Sequence, residues 1–190
     1  MVTSKASARK LTYDDFLSFP DDGQRHELID GEHHVTPSPA TKHPRVAMRL
    51  TLALGTYFNT HPIGEVFIAP FDVVLSNTDI VEPDLLVVLK DQADIVTAKH
   101  VRGAPALVIE ILSPGTKRVD GGAKLRLYDR SGVREYWLVD PADDTVTVFR
   151  RSDMGTLMVS GRLTLASGDA ITSPLLPDWA SSLTALFSNA

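Results

Sequence analysis

The chain has no cysteine, which excludes disulfides, thiolate catalysis and every zinc site built on sulfur. No apolar run approaches the roughly 18 to 20 residues that a membrane span requires, and the polar start, residues 1–10, lacks a signal-type apolar segment. A soluble, cytoplasmic protein without a membrane partner is expected. An excess of positive charge is missing too. The 19 Lys and Arg stand against 24 Asp and Glu, a formal −5, which argues against a protein that coats nucleic acid. Repeats and low-complexity tracts are absent, and 190 residues at 43% hydrophobic are enough to bury one core. One domain over residues 11–190, preceded by a loose basic tail at 1–10, is the resulting expectation.

Histidine is present without metal-ligand spacing. His26, His33, His34, His43, His61 and His100 form no pair on a convincing helix face, and adjacent His33 and His34 point to opposite faces of a strand. They read as surface or hydrogen-bonded residues. Charge is unevenly spread: from Lys117 to Arg134 six basic residues meet two acidic ones, so this segment is +4 and the remainder −9. It fits either a face for a phosphate backbone or a solvated helix surface.

The local pattern predicts a short helix over Thr12 to Phe19, with Thr12 as N-cap and Asp15 three residues on, closed by Pro20. Arg25 to Val35 reads as a hairpin turning at Asp30-Gly31. Val46, Leu50, Leu54, Tyr57 and Phe58 recur at helical steps, so Lys42 to Thr60 is the long amphipathic helix. Short strands follow at Glu65 to Ile68 and Phe71 to Leu75, with an irregular stretch at Lys90 to Ala104. A helix over Asp120 to Ser131 ends at Gly132, where a left-handed cap belongs. Glu135 to Pro141 and Thr145 to Phe149 form a hairpin, strands lie near Leu157 to Ser160 and Leu163 to Leu165, and Trp179 to Phe187 is a closing helix.

Two apolar runs each carry an acid out of place: Asp84 in Glu82-Pro83-Asp84-Leu85-Leu86-Val87-Val88, and Glu110 in Ala106-Leu107-Val108-Ile109-Glu110-Ile111-Leu112. Such runs read as strands covered on both faces, where an ionised carboxylate costs several kcal/mol unless paired or bound to a cation. Lys124 stands 14 residues beyond Glu110, about one turn into the next helix. If the strands pair and the helix packs back, two carboxylates and one ammonium converge, the chemistry of metal-assisted phosphodiester hydrolysis. Magnesium suits two carboxylates and a main-chain carbonyl, and a lysine beside it can position water or neutralise the transition state. The structural alternative is a strand-capping Asp84 and a Glu110 paired with Lys124 or an arginine.

These residues resemble the Uma-type family of restriction-endonuclease-like proteins, within the PD-(D/E)XK nuclease superfamily. The matching pieces, in order, are Glu27-Leu28-Ile29-Asp30-Gly31-Glu32, Pro83-Asp84, Glu110-Ile111-Leu112-Ser113-Pro114, and Lys124 with Tyr128, Gly132-Val133 and Glu135-Tyr136-Trp137-Leu138-Val139-Asp140-Pro141. The resemblance covers roughly Leu11 to Phe187. It implies a single α/β domain with a mixed, curved central sheet flanked by helices. It further implies that Asp84 and Glu110 are metal ligands, that the Ile111 carbonyl completes the shell, and that Glu27 is an additional acid. The superfamily places its lysine two residues beyond the glutamate, where this chain has Leu112. Lys124 is the residue that would supply that ammonium.

The implied activity is endonucleolytic hydrolysis of DNA using Mg²⁺, with Mn²⁺ able to substitute, by a homodimer. A non-catalytic dimerising or DNA-binding module on the same scaffold is the rival reading, and RNA cleavage is a third. Glu27 alternatively pairs with a neighbouring arginine. His43, near Arg45 and Arg49, faces phosphate or solvent, and Tyr128 and Trp137 stack on bases or fill the core.

Overall fold

Leu107, Ile109 and Ile111 share one face of a strand, while Val108 and Glu110 share the other. The structure, a computed structural model describing residues 9–36, 41–113 and 119–188, buries both faces of this strand, β8 (Leu107–Ile111). Leu107, Ile109 and Ile111 enter a core with Leu85, Val87, Val46, Leu50, Leu54 and Trp137. Val108 enters a second core with Leu86, Val88, Tyr128 and Tyr136. β8 is thus an interior strand, as its apolar run predicts.

The strands that precede it in the chain are β1 (Arg25–Ile29), β2 (Glu32–Thr36), β3 (Gly64–Ile68), β4 (Val73–Ser76), β5 (Asp79–Val81), β6 (Leu85–Leu89) and β7 (Val101–Arg102). Those that follow are β9 (Glu135–Asp140), β10 (Thr145–Arg151), β11 (Leu157–Thr164), β12 (Ala170–Ser173) and β13 (Leu176–Ser182). The central sheet has six strands in the order β11-β10-β9-β8-β6-β3. Its β8–β9 pair is parallel and the others antiparallel, so the sheet is mixed. A second sheet of five strands runs β2-β1-β5-β4-β7, and β12 and β13 form a separate hairpin. The α/β class holds, while the division of the strands between two larger sheets has no counterpart in the sequence reading.

The helices follow their local signals. α1 (Tyr13–Phe16) has the Thr12 N–H donating to the Asp15 carboxylate at 2.8 Å, the contact expected of that spacing. α2 (Lys42–Thr60) has the predicted bounds and buries Val46, Leu50, Leu54, Tyr57 and Phe58 against the central sheet. Residues 119–124 are π-helical and continue into α3 (Leu125–Ser131), which stops at Gly132 with φ of 92°. The turn between β1 and β2 has Asp30 and Gly31 at φ of 54° and 73°, the paired left-handed residues of a type I′ hairpin.

The end of the chain departs from the reading. Trp179 is on β13 rather than in a helix, and α4 covers only Leu183–Phe187. Pairing with β12 holds this segment extended, and the Ser182 side chain accepts the Ala185 N–H to start the helix. The two short strands expected near 157–165 are one strand, β11. The stretch at 90–104 holds a 3-10 turn at Lys90–Ile95 and β7. Of the tail, residues 1–8 lie outside the described residues, whereas Arg9 and Lys10 pair with Asp15 and Asp30. Among the described residues no helix is long and apolar enough to cross a membrane.

Trp137 is fully buried, stacks on Trp179 at 5.5 Å between ring centroids and donates its indole N–H to Glu135 at 2.7 Å. It is a core residue and offers no face to a nucleic-acid base. Glu135, 1% exposed, also accepts from Ser173 at 2.7 Å, tying β9 to β12. Glu135→Ala strands both donors in the core, at a cost of about 2 to 4 kcal/mol. Urea denaturation should show that loss; a shift below about 0.5 kcal/mol would remove this tie from the account of the core.

Candidate active site

The register that pairs Leu85 with Ile109 and Leu86 with Val108 sets Asp84 opposite Glu110 when continued by one residue. Facing residues of an antiparallel pair point to the same side of the sheet, with Cβ atoms roughly 4.5 to 5.5 Å apart. That side is the one covered by α3, since Leu86 and Val108 pack there with Leu127 and Tyr128. The chain reaches Asp84 by crossing from β5 in the five-stranded sheet to β6 in the central sheet through Glu82 and Pro83. The crossing point carries the acid.

Asp84 is held by three donors. Its Oδ1 accepts from Arg25 Nη1 at 3.0 Å, and its Oδ2 accepts from the Ile111 N–H at 2.7 Å and lies 3.0 Å from His43 Nε2. Burial opposes its charge, but the His43 hydrogen bond, the Arg25 guanidinium and the Ile111 N–H outweigh it and hold the carboxyl below the usual range. The same guanidinium places Nε 2.7 Å from Glu82 Oε1. Burial weakens the charge of Arg25, yet Asp84, Glu110 and Glu82 together raise its pKa and keep it a cation. Glu82 itself is pushed up by burial despite Arg25.

Glu110 and Glu27 share Lys124. Its Nζ lies 2.9 Å from Glu110 Oε1 and 2.8 Å from Glu27 Oε1, with the lysine side chain only 3% exposed. Tyr128 donates its hydroxyl to the same Glu110 oxygen at 2.6 Å, and the Glu82 N–H donates to Glu27 at 2.9 Å. Burial, followed by the Glu110 and Glu27 charges, raises the Tyr128 pKa well above its ordinary value, so the phenol stays a donor. Tyr128 is fully buried and stacks on no base.

Asp84, Glu110, Glu27 and Lys124 therefore occupy one connected cluster, with Ile111 entering through its N–H. Leu112, at the superfamily's lysine position, is a buried apolar residue. Tyr128 joins the cluster through its hydroxyl rather than through its ring, and Arg25 and Glu82 belong to the cluster without any sequence signal that marks them as site residues. Only alternation could have found two of them: Arg25 with Glu27, and Glu82 with Asp84, stand two apart and thus on common faces. His43, left open between phosphate and solvent, sits on Asp84.

The basic segment is less of a face than its composition suggests. Lys117 and Arg118 lie outside the described residues, Lys124 is buried, Arg130 pairs with Asp79 and Arg134 with Asp91. Arg126 is exposed.

Four carboxylates, Glu27, Glu82, Asp84 and Glu110, face two permanent cations, Arg25 and Lys124, leaving two formal negative charges among the described residues when His43 is neutral. No group of three or more His, Asp or Glu side chains among the described residues is arranged to grip a metal by itself. The two facing carboxylates, Asp84 and Glu110, are hard oxygen donors of the kind that magnesium, which keeps several waters, takes one or two of.

The family model with the description "Uma2: Putative restriction endonuclease" matches residues 13–185. The chain is 27% identical over 169 residues to "Uncharacterized protein slr1290" of Synechocystis sp., covering 83% of this chain and 86% of that one. Among solved structures it is similar to a "putative nuclease belonging to DUF820" from Anabaena variabilis, with a TM-score of 0.78 at 21% identity over 94% of this chain and 98% of that chain. That likeness speaks for the fold.

Removing Lys124 leaves two buried acids without their shared ammonium, a change worth about 3 to 5 kcal/mol. Lys124→Ala should lower the denaturation midpoint accordingly. A loss under about 1 kcal/mol would mean that the cluster does not hold the two sheets together.

Proposed function

The chain belongs to the Uma2 family, and on that premise we propose that it is a divalent-metal-dependent endonuclease that hydrolyses phosphodiester bonds, with DNA as substrate. The observation that carries this reading is the position of Asp84 opposite Glu110 at the crossing between the two sheets, in a cluster with surplus negative charge. Asp84 and Glu110 would hold Mg²⁺, or Mn²⁺ in its place, with the Ile111 carbonyl as a further oxygen ligand. Such an ion supplies charge stabilisation at the phosphate and lowers the pKa of an attacking water.

The chain's own groups prepare that site. The Ile111 N–H and His43 fix Asp84 Oδ2, and Tyr128 with Lys124 fixes Glu110 Oε1, so both carboxylates are oriented before any ligand arrives. Lys124 offsets part of the charge of Glu110 and Glu27. Glu27 borders the site as the third acid, bound to both Lys124 and the Glu82 N–H. The homodimer in this reading draws support from the outer edge strand β11, where Met158 and Val159 are 60% and 62% exposed.

The decisive experiment compares plasmid, linear duplex, single-stranded DNA and RNA at low salt, with Mg²⁺, Mn²⁺ or chelator. Cleavage of DNA should need the metal and should vanish in Asp84→Asn and Glu110→Gln, which keep shape and remove charge. Activity surviving both substitutions would point to a contaminant. No cleavage of any polymer together with no metal uptake would favour the non-catalytic module, and cleavage confined to RNA would replace the substrate. Light scattering at working concentration tests the dimer.

A further inference from the structure

Among the described residues three basic side chains touch the acids of the cluster, and they differ in access. Lys124 is 3% exposed and His43 13%, while the Arg25 side chain is 22% exposed. Lys124 is also committed to two carboxylates at once. Arg25 is held differently, at two separate nitrogens of its planar fork. Nε lies on Glu82 and Nη1 on Asp84, two acids separated by one residue on the crossing segment.

The two oxygens of Asp84 are also unequal. Oδ2 has two donors, one of them a backbone N–H of the neighbouring strand that cannot leave without breaking the sheet end. Among the described residues Oδ1 has only the Arg25 guanidinium. A cation that claims Asp84 therefore competes with Arg25 rather than with the backbone. Glu82 lies outside the proposed ligand set and keeps its hold on Nε when Nη1 is released.

We propose that Arg25 is the phosphate-binding residue of this site: it is the counter-ion of Asp84 while no metal is bound, and it turns its freed Nη1 edge to a substrate phosphate when a divalent cation takes Oδ1. The inference rests on the metal-site reading above and goes beyond it by assigning the group that binds the anion. A guanidinium suits the task because its fork matches phosphate oxygens and stays charged at all working pH. Glu82 is its positioning residue. The arrangement makes the metal-free site self-compensated, and it couples phosphate binding to metal binding through one side chain.

The test measures two affinities that move in opposite directions. In Arg25→Gln, Mn²⁺ binding followed by calorimetry without DNA should tighten by about threefold or more, because a competitor and a nearby positive charge are gone. Binding of a short labelled duplex in Ca²⁺, followed by anisotropy, should weaken by about tenfold or more, and its salt slope should fall by about one. Arg25→Lys keeps the charge without the fork, and should retain the salt slope while losing most of the affinity; it also serves if the glutamine variant does not fold. Parent-like duplex affinity and salt slope in both variants, with Mn²⁺ still bound by the parent, overturns the role of Arg25 alone. Failure of the parent itself to bind Mn²⁺ overturns the metal site and this inference with it.

Discussion

The ammonium of Lys124 lies between a carboxylate of each large sheet, and the geometry of the whole site depends on that contact. Glu27 stands on β1 of the five-stranded sheet, Glu110 on β8 of the six-stranded sheet, and Lys124 at the end of a π-helical stretch leading into α3. Apolar packing holds these elements together without fixing their rotation, because burial of apolar surface is not directional. A buried ammonium shared by two acids is directional, and losing that ammonium takes the shared counter-charge from both acids in a medium that penalises buried charge. The π-helical widening just before α3 carries this lysine, a place where such irregularities often serve a site.

Charge also explains why Asp84 is where the chain crosses between sheets. Standing just before Leu85, at the sheet end, the Asp84 side chain meets three donors from three elements: Arg25 of β1, His43 of α2 and Ile111 of β8. Each element brings one group, so the site exists only in the folded chain. The cost of burying the acid is offset by those donors, and the same donors hold it in the ionised form that a cation needs.

Features encoded by neighbours in sequence were legible, and features made by distant pairs were not. The bounds of α2 followed from apolar steps of three and four, the β1–β2 turn from Asp30-Gly31, and the end of α3 from Gly132. Asp84, Glu110 and Lys124 stood out because each acid interrupts an apolar run and the lysine follows at helical distance. Arg25 and His43 lie 59 and 41 residues from Asp84, and no local pattern announces either contact. The assignment of strands to two sheets was hidden for the same reason: β5 is a three-residue strand with no signal of its own ahead of the Asp84 run, and only its pairing with β1 and β4 places it in the five-stranded sheet. Trp179 misled because a tryptophan ahead of Leu183, Leu186 and Phe187 completes a helical pattern, while β12 supplies the pairing that keeps it extended. The basic segment stays open on composition alone, which counts Arg130 and Arg134 but not the aspartates that bind them.

The charge balance constrains how any polyanion could approach. The chain carries a formal −5, the cluster retains two negative charges among the described residues, and two arginines of the basic segment are committed to Asp79 and Asp91. A phosphate backbone brought to this cluster alone would meet net repulsion. In the proposed reading a dication at Asp84 and Glu110 would offset the negative charge of the acids and, by taking Oδ1, would free the Arg25 Nη1 for the same phosphate. Metal and nucleic acid would then strengthen each other's binding by an equal factor, as linkage requires of two ligands coupled through one site. In such a site the order of binding would follow from electrostatics: the cation would come first, because it would convert a region rich in carboxylates into one that accepts a phosphate backbone, at the place where the strands have already aligned Asp84 and Glu110.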